Sequence, residues 1–138
     1  GWRNRAIGDA WASSPVRQRI RFVSYVPDAE VPLWYAGADA LAFPSLSEGF
    51  GLPALEAMAC GTPVVTSDCS ALPEVVGDAA VTVSPRSVRS IADGLARVLT
   101  DQPLAQSLSA RGSERSRRFN WETAAAETVA VYREAAAG

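Results

Sequence analysis

Two carboxylates bracket a glycine-rich stretch that leads into a helix-forming segment, Ser47-Glu48-Gly49-Phe50-Gly51-Leu52-Pro53-Ala54-Leu55-Glu56. Pro53 suits the first helical position, where no amide hydrogen is needed. The amides on either side of it, from Phe50 to Leu55, then lack intrahelical partners and are expected to point outward together. With the positive end of the helix dipole they make a ready site for phosphate. Glu48 precedes this site, and Glu56 follows one turn into the helix, roughly 4–5 Å along the axis from Pro53 at the usual rise. A carboxylate accepts two hydroxyl donors well. The pair is therefore expected to flank a bound diphosphate and to grip hydroxyls on either side of it, a spacing that suits a sugar, a diphosphate and a ribose.

The rest of the chain restricts the chemistry further. Its 138 residues, about half of them apolar, suffice for one domain with a real core. A balance of 13 basic against 15 acidic residues gives no electrostatic case for nucleic acid or a membrane surface. Every basic residue is Arg, which excludes a lysine P-loop and Schiff-base chemistry within this segment. No His is present, so the commonest general base is absent or comes from elsewhere. Cys60 and Cys69 are too few and wrongly spaced for a zinc site or a disulfide framework. They read as two small buried thiols in a reducing, cytoplasmic compartment. No apolar run is long enough to span a bilayer, and no signal sequence opens the chain.

Alternating short strands and helices must position the two glutamates. Helical spacing of Ile7, Ala10 and Trp11 predicts a helix over Gly1–Ser14, closed by Pro15. Arg19–Val23 has the apolar core of a strand, and Asp28 is expected to cap a helix running to Tyr35 and stopped by Gly37. Ala38–Phe43 reads as a short buried strand ending at Pro44, and Pro53–Cys60 as the helix after the loop. Pro63–Thr66 and Ala79–Val83 are two more strands, separated by a short helix over Leu72–Val76 that Gly77 ends. Helices over Ser87–Leu99, Leu104 to roughly Arg117, and Trp121–Ala136 complete the chain. This alternation predicts a parallel α/β sheet with helices on both faces. Four strands are few for a doubly wound sheet, and the chain opens inside a helical segment with no strand before it. The last helix carries a broad apolar stripe, Ala125, Val129, Val131 and Tyr132, that needs a partner surface. The expectation is one domain, truncated at its N-terminal side, within a larger protein.

These residues resemble the family 4 glycosyltransferases of the GT-B fold. The likeness runs through Arg19-Ile20-Arg21-Phe22-Val23, Tyr25-Val26-Pro27-Asp28, Ala38-Asp39-Ala40-Leu41 and Pro44-Ser45. It is strongest at Glu48–Pro53 and Glu56–Val65, and continues in Leu72–Ala79 and Phe119-Asn120-Trp121-Glu122. The resemblance covers nearly the whole chain, and its Glu, seven residues, Glu motif is specific in this setting. It implies the Rossmann-like C-terminal domain of a retaining hexosyltransferase whose donor is a nucleoside-diphosphate sugar, a UDP- or GDP-sugar, with no metal and no other cofactor. Position by position it implies that Glu48 contacts the donor sugar near the reacting carbon and Glu56 holds the ribose diol. The amides of Gly49, Phe50, Gly51 and Leu52 would meet the diphosphate, and the Tyr25–Val26 backbone would edge the base. A front-face reaction, in which the leaving phosphate takes the acceptor's proton, is also implied. The acceptor, a glycan, lipid or small molecule, would sit on an N-terminal domain, towards which residues 119–138 would pack.

A charge deficit accompanies this assignment. Glu48 beside a diphosphate is like-charge repulsion, only partly offset by a helix end worth about half a unit charge. The family supplies an Arg and a Lys from just after an earlier strand, and nothing here matches them, so the segment alone is expected to be inactive. Gly1-Trp2 resembles the start of a subgroup that often uses GDP-mannose, against the plainer reading of a tryptophan packing the first helix.

Other readings stay open at this point. Gly49 to Ala54 also fits G-x-G-x-x-A, with Asp68 after the next strand, as in an NAD-dependent oxidoreductase. Glu48 would then lie beside the dinucleotide's diphosphate with no evident role. A nucleotide-sugar-binding module without turnover is a third reading, and two acids flanking an ordinary helix start a fourth. Elsewhere plain explanations serve: first-turn acids for Asp28, Glu30 and Glu74, a strand-end turn for Asp68, and a solvated helix end for Arg111, Arg115, Arg117 and Arg118.

Overall fold

Val64, Val65, Thr66 and Ser67 are all buried, as a central strand covered on both faces must be. The computed structural model describes residues 4–137, so the Gly1-Trp2 pair lies outside the described residues. The elements run α1 (Asn4–Ser13), a 3-10 turn (Arg17–Arg19), α2 (Val31–Ala36), β1 (Leu41–Phe43), α3 (Leu52–Ala59), β2 (Val64–Ser67) and α4 (Leu72–Val76), then β3 (Val81–Val83), α5 (Val88–Thr100), α6 (Gln102–Ser116) and α7 (Trp121–Ala137). The strands form a parallel sheet of order β1-β2-β3, with Leu41 opposite Val64 and Val65 opposite Val81.

Alternation along β2 divides the core in two. On one face Val64 joins Ala54, Ala57 and Met58 of α3 and Leu72 and Val76 of α4. On the other, Val65, Val81 and Val83 meet Val98 of α5 and Leu108 of α6. Helices therefore cover both faces of the sheet, as expected. The helix starts follow capping chemistry: Ser87 Oγ accepts the Ser90 amide at 3.1 Å, Asp101 Oδ1 that of Leu104 at 2.9 Å, and Asn120 Oδ1 that of Thr123 at 2.7 Å.

Close approach of α5 to the sheet depends on Gly94. A Cβ there would lie 2.5 Å from Val83 Cγ1 and 3.2 Å from Val65 Cγ1. Both valines are buried and β-branched, so neither can rotate away. Gly94→Ala is expected to destabilise the protein by about 1–3 kcal/mol through overpacking. Urea denaturation should show a lowered midpoint at unchanged slope, and an unshifted midpoint would contradict this packing.

Several expected boundaries differ. Arg19–Val23 forms no strand: Arg17–Arg19 is a 3-10 turn and residues 20–27 run without a ladder, leaving Phe22 65% exposed. A strand needs a neighbour's hydrogen bonds, and none of the described strands pairs with this run. Phe22 meets Trp11 edge-on instead, 5.8 Å between ring centroids. The sheet accordingly has three strands among the described residues, and β1, at one edge, is shorter than expected and only half-buried. Asp28 caps nothing. It lies in a turn over residues 28–30, and neither it nor Glu30, which occupies the cap position, offers a side-chain bond. The Pro27 carbonyl takes the Glu30 and Val31 amides instead, at 2.8 and 3.2 Å, and Pro32 has no amide hydrogen to satisfy. Pro53 is the second residue of α3 rather than the first.

Candidate functional site

Pro44 ends the β1 ladder and opens the loop 44–51, which leads into α3. A second loop, 68–71, links β2 to α4. Both lie at the carboxyl edge of a parallel sheet, where open α/β sheets bind ligands. Buried hydroxyls at the end of β2 hold the end of β1 and the first loop, Thr66 Oγ1 donating to Phe43 O at 2.9 Å and Ser67 Oγ to Ser45 O at 2.5 Å.

Gly51 sets the start of α3. Its φ of 100° lies in the left-handed region, and a Cβ would meet Leu72 Cδ2 at 2.5 Å. The Gly51 carbonyl accepts the Ala54 and Leu55 amides at 3.0 and 3.3 Å. Those two amides are therefore engaged, which narrows the free set expected from the sequence. Among the described residues, no hydrogen-bond partner takes the amides of Gly49, Phe50, Gly51 or Leu52. Glu48, half-buried, immediately precedes them, with its own amide and carbonyl both bonded to Ser70 Oγ.

Glu56 is exposed on α3, and Tyr35, at the end of α2, donates its hydroxyl to Glu56 Oε2 at 3.2 Å. Burial, then the neighbouring Glu56 carboxylate, pushes the Tyr35 phenol up to about 12 from 10.0. A folded-state value above the unfolded one favours the folded state below the unfolded value, and the gain is lost as pH rises from about 10 to about 12. The bond to Glu56 is thus intact throughout the neutral range. Tyr25 and Val26 lie on the extended run before α2. Tyr25 is 74% exposed, and no hydrogen bond joins either residue to the glycine loop.

The arginine cluster is more than a solvated helix end. Arg115 donates Nε to Val75 O at 2.5 Å and Nη2 to Glu74 O, closing the carboxyl end of α4. Its guanidinium also lies over the Phe119 ring, 5.9 Å from the centroid, and Phe119 meets Phe50 edge-on at 5.6 Å. The glycine loop is thereby braced from the α6–α7 junction. Arg111 pairs with Asp78 at 3.2 Å, and Arg118 sits 4.0 Å from Glu114 on the surface. No guanidinium among the described residues pairs with Glu48 or Glu56. Asp68 follows β2 directly, its amide bonded to Val83 O at 3.0 Å, as a strand-end residue. Cys60 and Cys69 are free thiols, half-buried rather than buried.

Phe50, Leu52 and Leu55 face Phe119, Trp121 and Ala124 across an apolar groove of about 510 Å³. Trp121 is 82% exposed, and Val131 and Tyr132 on α7 are exposed too. A shallower hollow of about 380 Å³ beside β3 and α5 has an Arg89–Asp93 surface pair on its rim and gathers no comparable set of groups.

From the sequence, Tyr35 and Ser70 have no role, Arg115 reads only as part of a solvated helix end, and Phe119 only as part of a family-like junction. Each has a partner far along the chain, Glu56 for Tyr35, Glu48 for Ser70, Val75 for Arg115 and Phe50 for Phe119, so spacing gave no sign of these contacts. The family-like Phe119 junction was the one available pointer.

A sequence profile described as "Glycosyl transferases group 1" matches residues 11–115. The chain is 38% identical over 133 residues to O-antigen chain mannosyltransferase B of Escherichia coli, covering 96% of this chain and 35% of that protein. It is 43% identical over 118 residues to the MMP alpha-(1->4)-mannosyltransferase of Mycolicibacterium hassiacum, covering 83% and 29%. Among solved structures, sucrose-phosphate synthase from Thermosynechococcus elongatus superposes with a TM-score of 0.86 at 33% identity, over 96% of this chain and 34% of that one. The C-terminal domain of a group 1 glycosyl transferase from Francisella tularensis gives 0.73 at 30%, over 83% and 60%. The chain thus spans about a third of the length of the curated relatives it matches.

Proposed function

The chain belongs to the group 1 glycosyltransferases, with the Rossmann-like fold of a GT-B C-terminal domain, and from that premise we propose that it is the donor-binding half of a retaining hexosyltransferase. The observation that carries this reading is the row of four unpartnered amides, Gly49 to Leu52, with Glu48 before it and Glu56 after it. The amides and the α3 dipole receive the diphosphate of a UDP- or GDP-sugar. Glu48 then takes sugar hydroxyls, Glu56 takes the ribose diol, and the Tyr25–Val26 backbone edges the base. Without a His or Lys in the chain, its part in catalysis is placement and charge stabilisation, and the leaving phosphate accepts the acceptor's proton.

The missing positive charge comes from polypeptide outside this chain, as does the acceptor site. The exposed apolar residues of α7 and the unpaired run 19–23 fit surfaces that such polypeptide would cover. The two free thiols suit a reducing, cytoplasmic setting.

Calorimetric titration of the full-length protein with UDP, GDP, their sugars and NAD tests the reading. A nucleoside diphosphate should bind and NAD should not, and the reverse would sink it. Glu56→Ala should weaken nucleotide binding about 10–100-fold, the loss of a charged acceptor, and Tyr35→Phe about fivefold, the loss of one ordinary hydrogen bond. Unchanged affinity in Glu56→Ala would remove that residue from the ribose site.

A further inference from the structure

We propose that Ser70 is a positioning residue for Glu48, holding that residue's main chain so that its carboxylate meets the donor sugar. This rests on the donor-site reading above. Ser70 has φ 61°, the one positive φ at a non-glycine residue among the described residues. The left-handed conformation is unfavourable for a residue that carries a Cβ, and strain of this kind gathers where geometry serves function. In this conformation Ser70 Oγ accepts the Glu48 amide at 3.1 Å and donates to the Glu48 carbonyl at 2.7 Å. A hydroxyl has one proton and two lone pairs, so both bonds exist together.

The clamp is the last of a series along the same two loops. Ser67 Oγ bonds Ser45 O at 2.5 Å, and Cys69 Sγ lies 3.8 Å from Leu46 O. Two residues after Ser70, fully buried Leu72 occupies the space beside Gly51 where a side chain would stand. One turn, residues 70–72, therefore fixes both ends of the Glu48–Gly51 segment. Side-chain contacts do not do this for Glu48, whose carboxylate makes no hydrogen bond to any described residue. Its direction follows from its backbone, and Ser70 holds that backbone. The clamp also occupies the Glu48 amide, which leaves the row Gly49–Leu52 to a phosphate.

Ser70→Ala, Ser70→Gly and each of these in a Glu48→Ala background, made in the full-length enzyme, separate positioning from mere stability. Both single variants should lower kcat about tenfold or more, as small misplacements of reacting groups do, with nucleoside diphosphate affinity within about twofold of wild type. Ser70→Gly should melt no lower than Ser70→Ala, because glycine adopts φ 61° without strain. In the Glu48→Ala background neither change should slow the residual rate further. Wild-type kcat in Ser70→Gly, or an equal further loss without the Glu48 side chain, overturns the proposal. If Ser70→Ala does not fold, Ser70→Gly decides alone. A wild-type enzyme that transfers no sugar overturns the donor-site reading and this proposal with it, whereas active wild type with equally active Ser70→Gly overturns this proposal only.

Discussion

Glu48→Ala should lower sugar transfer by about 10²–10³-fold, the usual cost of removing a preorganised electrostatic group, while nucleoside diphosphate affinity stays within about twofold. The split follows from where the two acids stand. Glu48 precedes the free amides and Glu56 follows them inside α3. With a diphosphate seated on that row as proposed, one carboxylate would lie on each side of it, Glu48 towards the sugar and Glu56 towards the nucleoside. A bound nucleotide without its sugar leaves Glu48 with no hydroxyl to accept. Glu48→Gln refines the test. The amide keeps the acceptor oxygen but removes a negative charge beside the diphosphate, and no described guanidinium offsets that charge. The Glu48→Gln variant should therefore bind the nucleotide slightly more tightly than wild type at low salt, with the gain fading as ionic strength screens the repulsion. Its kcat should still fall. Steady-state kinetics with calorimetry at two salt concentrations reads both effects. Equal losses of affinity and rate in Glu48→Ala would place the residue on the nucleotide side.

Much of this site was legible in the sequence because local chemistry writes it. Pro53 early in α3, Gly37 after α2 and Gly77 after α4 are short-range signals that report on their own neighbourhood. The strand expected over Pro63–Thr66 likewise formed, and the structure places it at the centre of the sheet, buried on both faces. Expectation failed where the deciding partner lies elsewhere. Phe22 and Val23 have strand chemistry but no ladder to join. Asp28 has capping chemistry, yet the turn fixed by Pro27 places α2's start three residues later. Arg115 sits in a run of arginines that composition cannot tell apart, and its task depends on α6 lying beside the end of α4. Ser70 and Tyr35 reach their glutamates across 22 and 21 residues, contacts that exist only once the sheet has formed.

Gly51→Ala should be the most damaging single change for the fold around the site, costing about 2–5 kcal/mol. One part is conformational: an L-residue in the left-handed region costs about 1–2 kcal/mol, and Gly51 sits at φ 100°. The other part is steric. The new methyl would stand 2.5 Å from Cδ2 of Leu72, which is fully buried, an overpacking worth about 1–3 kcal/mol. For a domain of this size the sum corresponds to a drop in Tm of roughly 5–15 °C. Relief of either term would rotate the Gly51 and Leu52 amides, so nucleotide affinity should fall along with stability. Gly49→Ala is the control, since a Cβ there meets nothing within 4 Å and its φ is not in the left-handed region. It should melt close to wild type, and any loss of affinity would then report on ligand approach alone. Adding Leu72→Ala to Gly51→Ala removes the clash and keeps the backbone strain. The cost of the glycine substitution should therefore shrink in that background by the steric part. If it does not shrink, the turn's conformation alone sets the requirement for glycine, and Leu72 is an ordinary core residue.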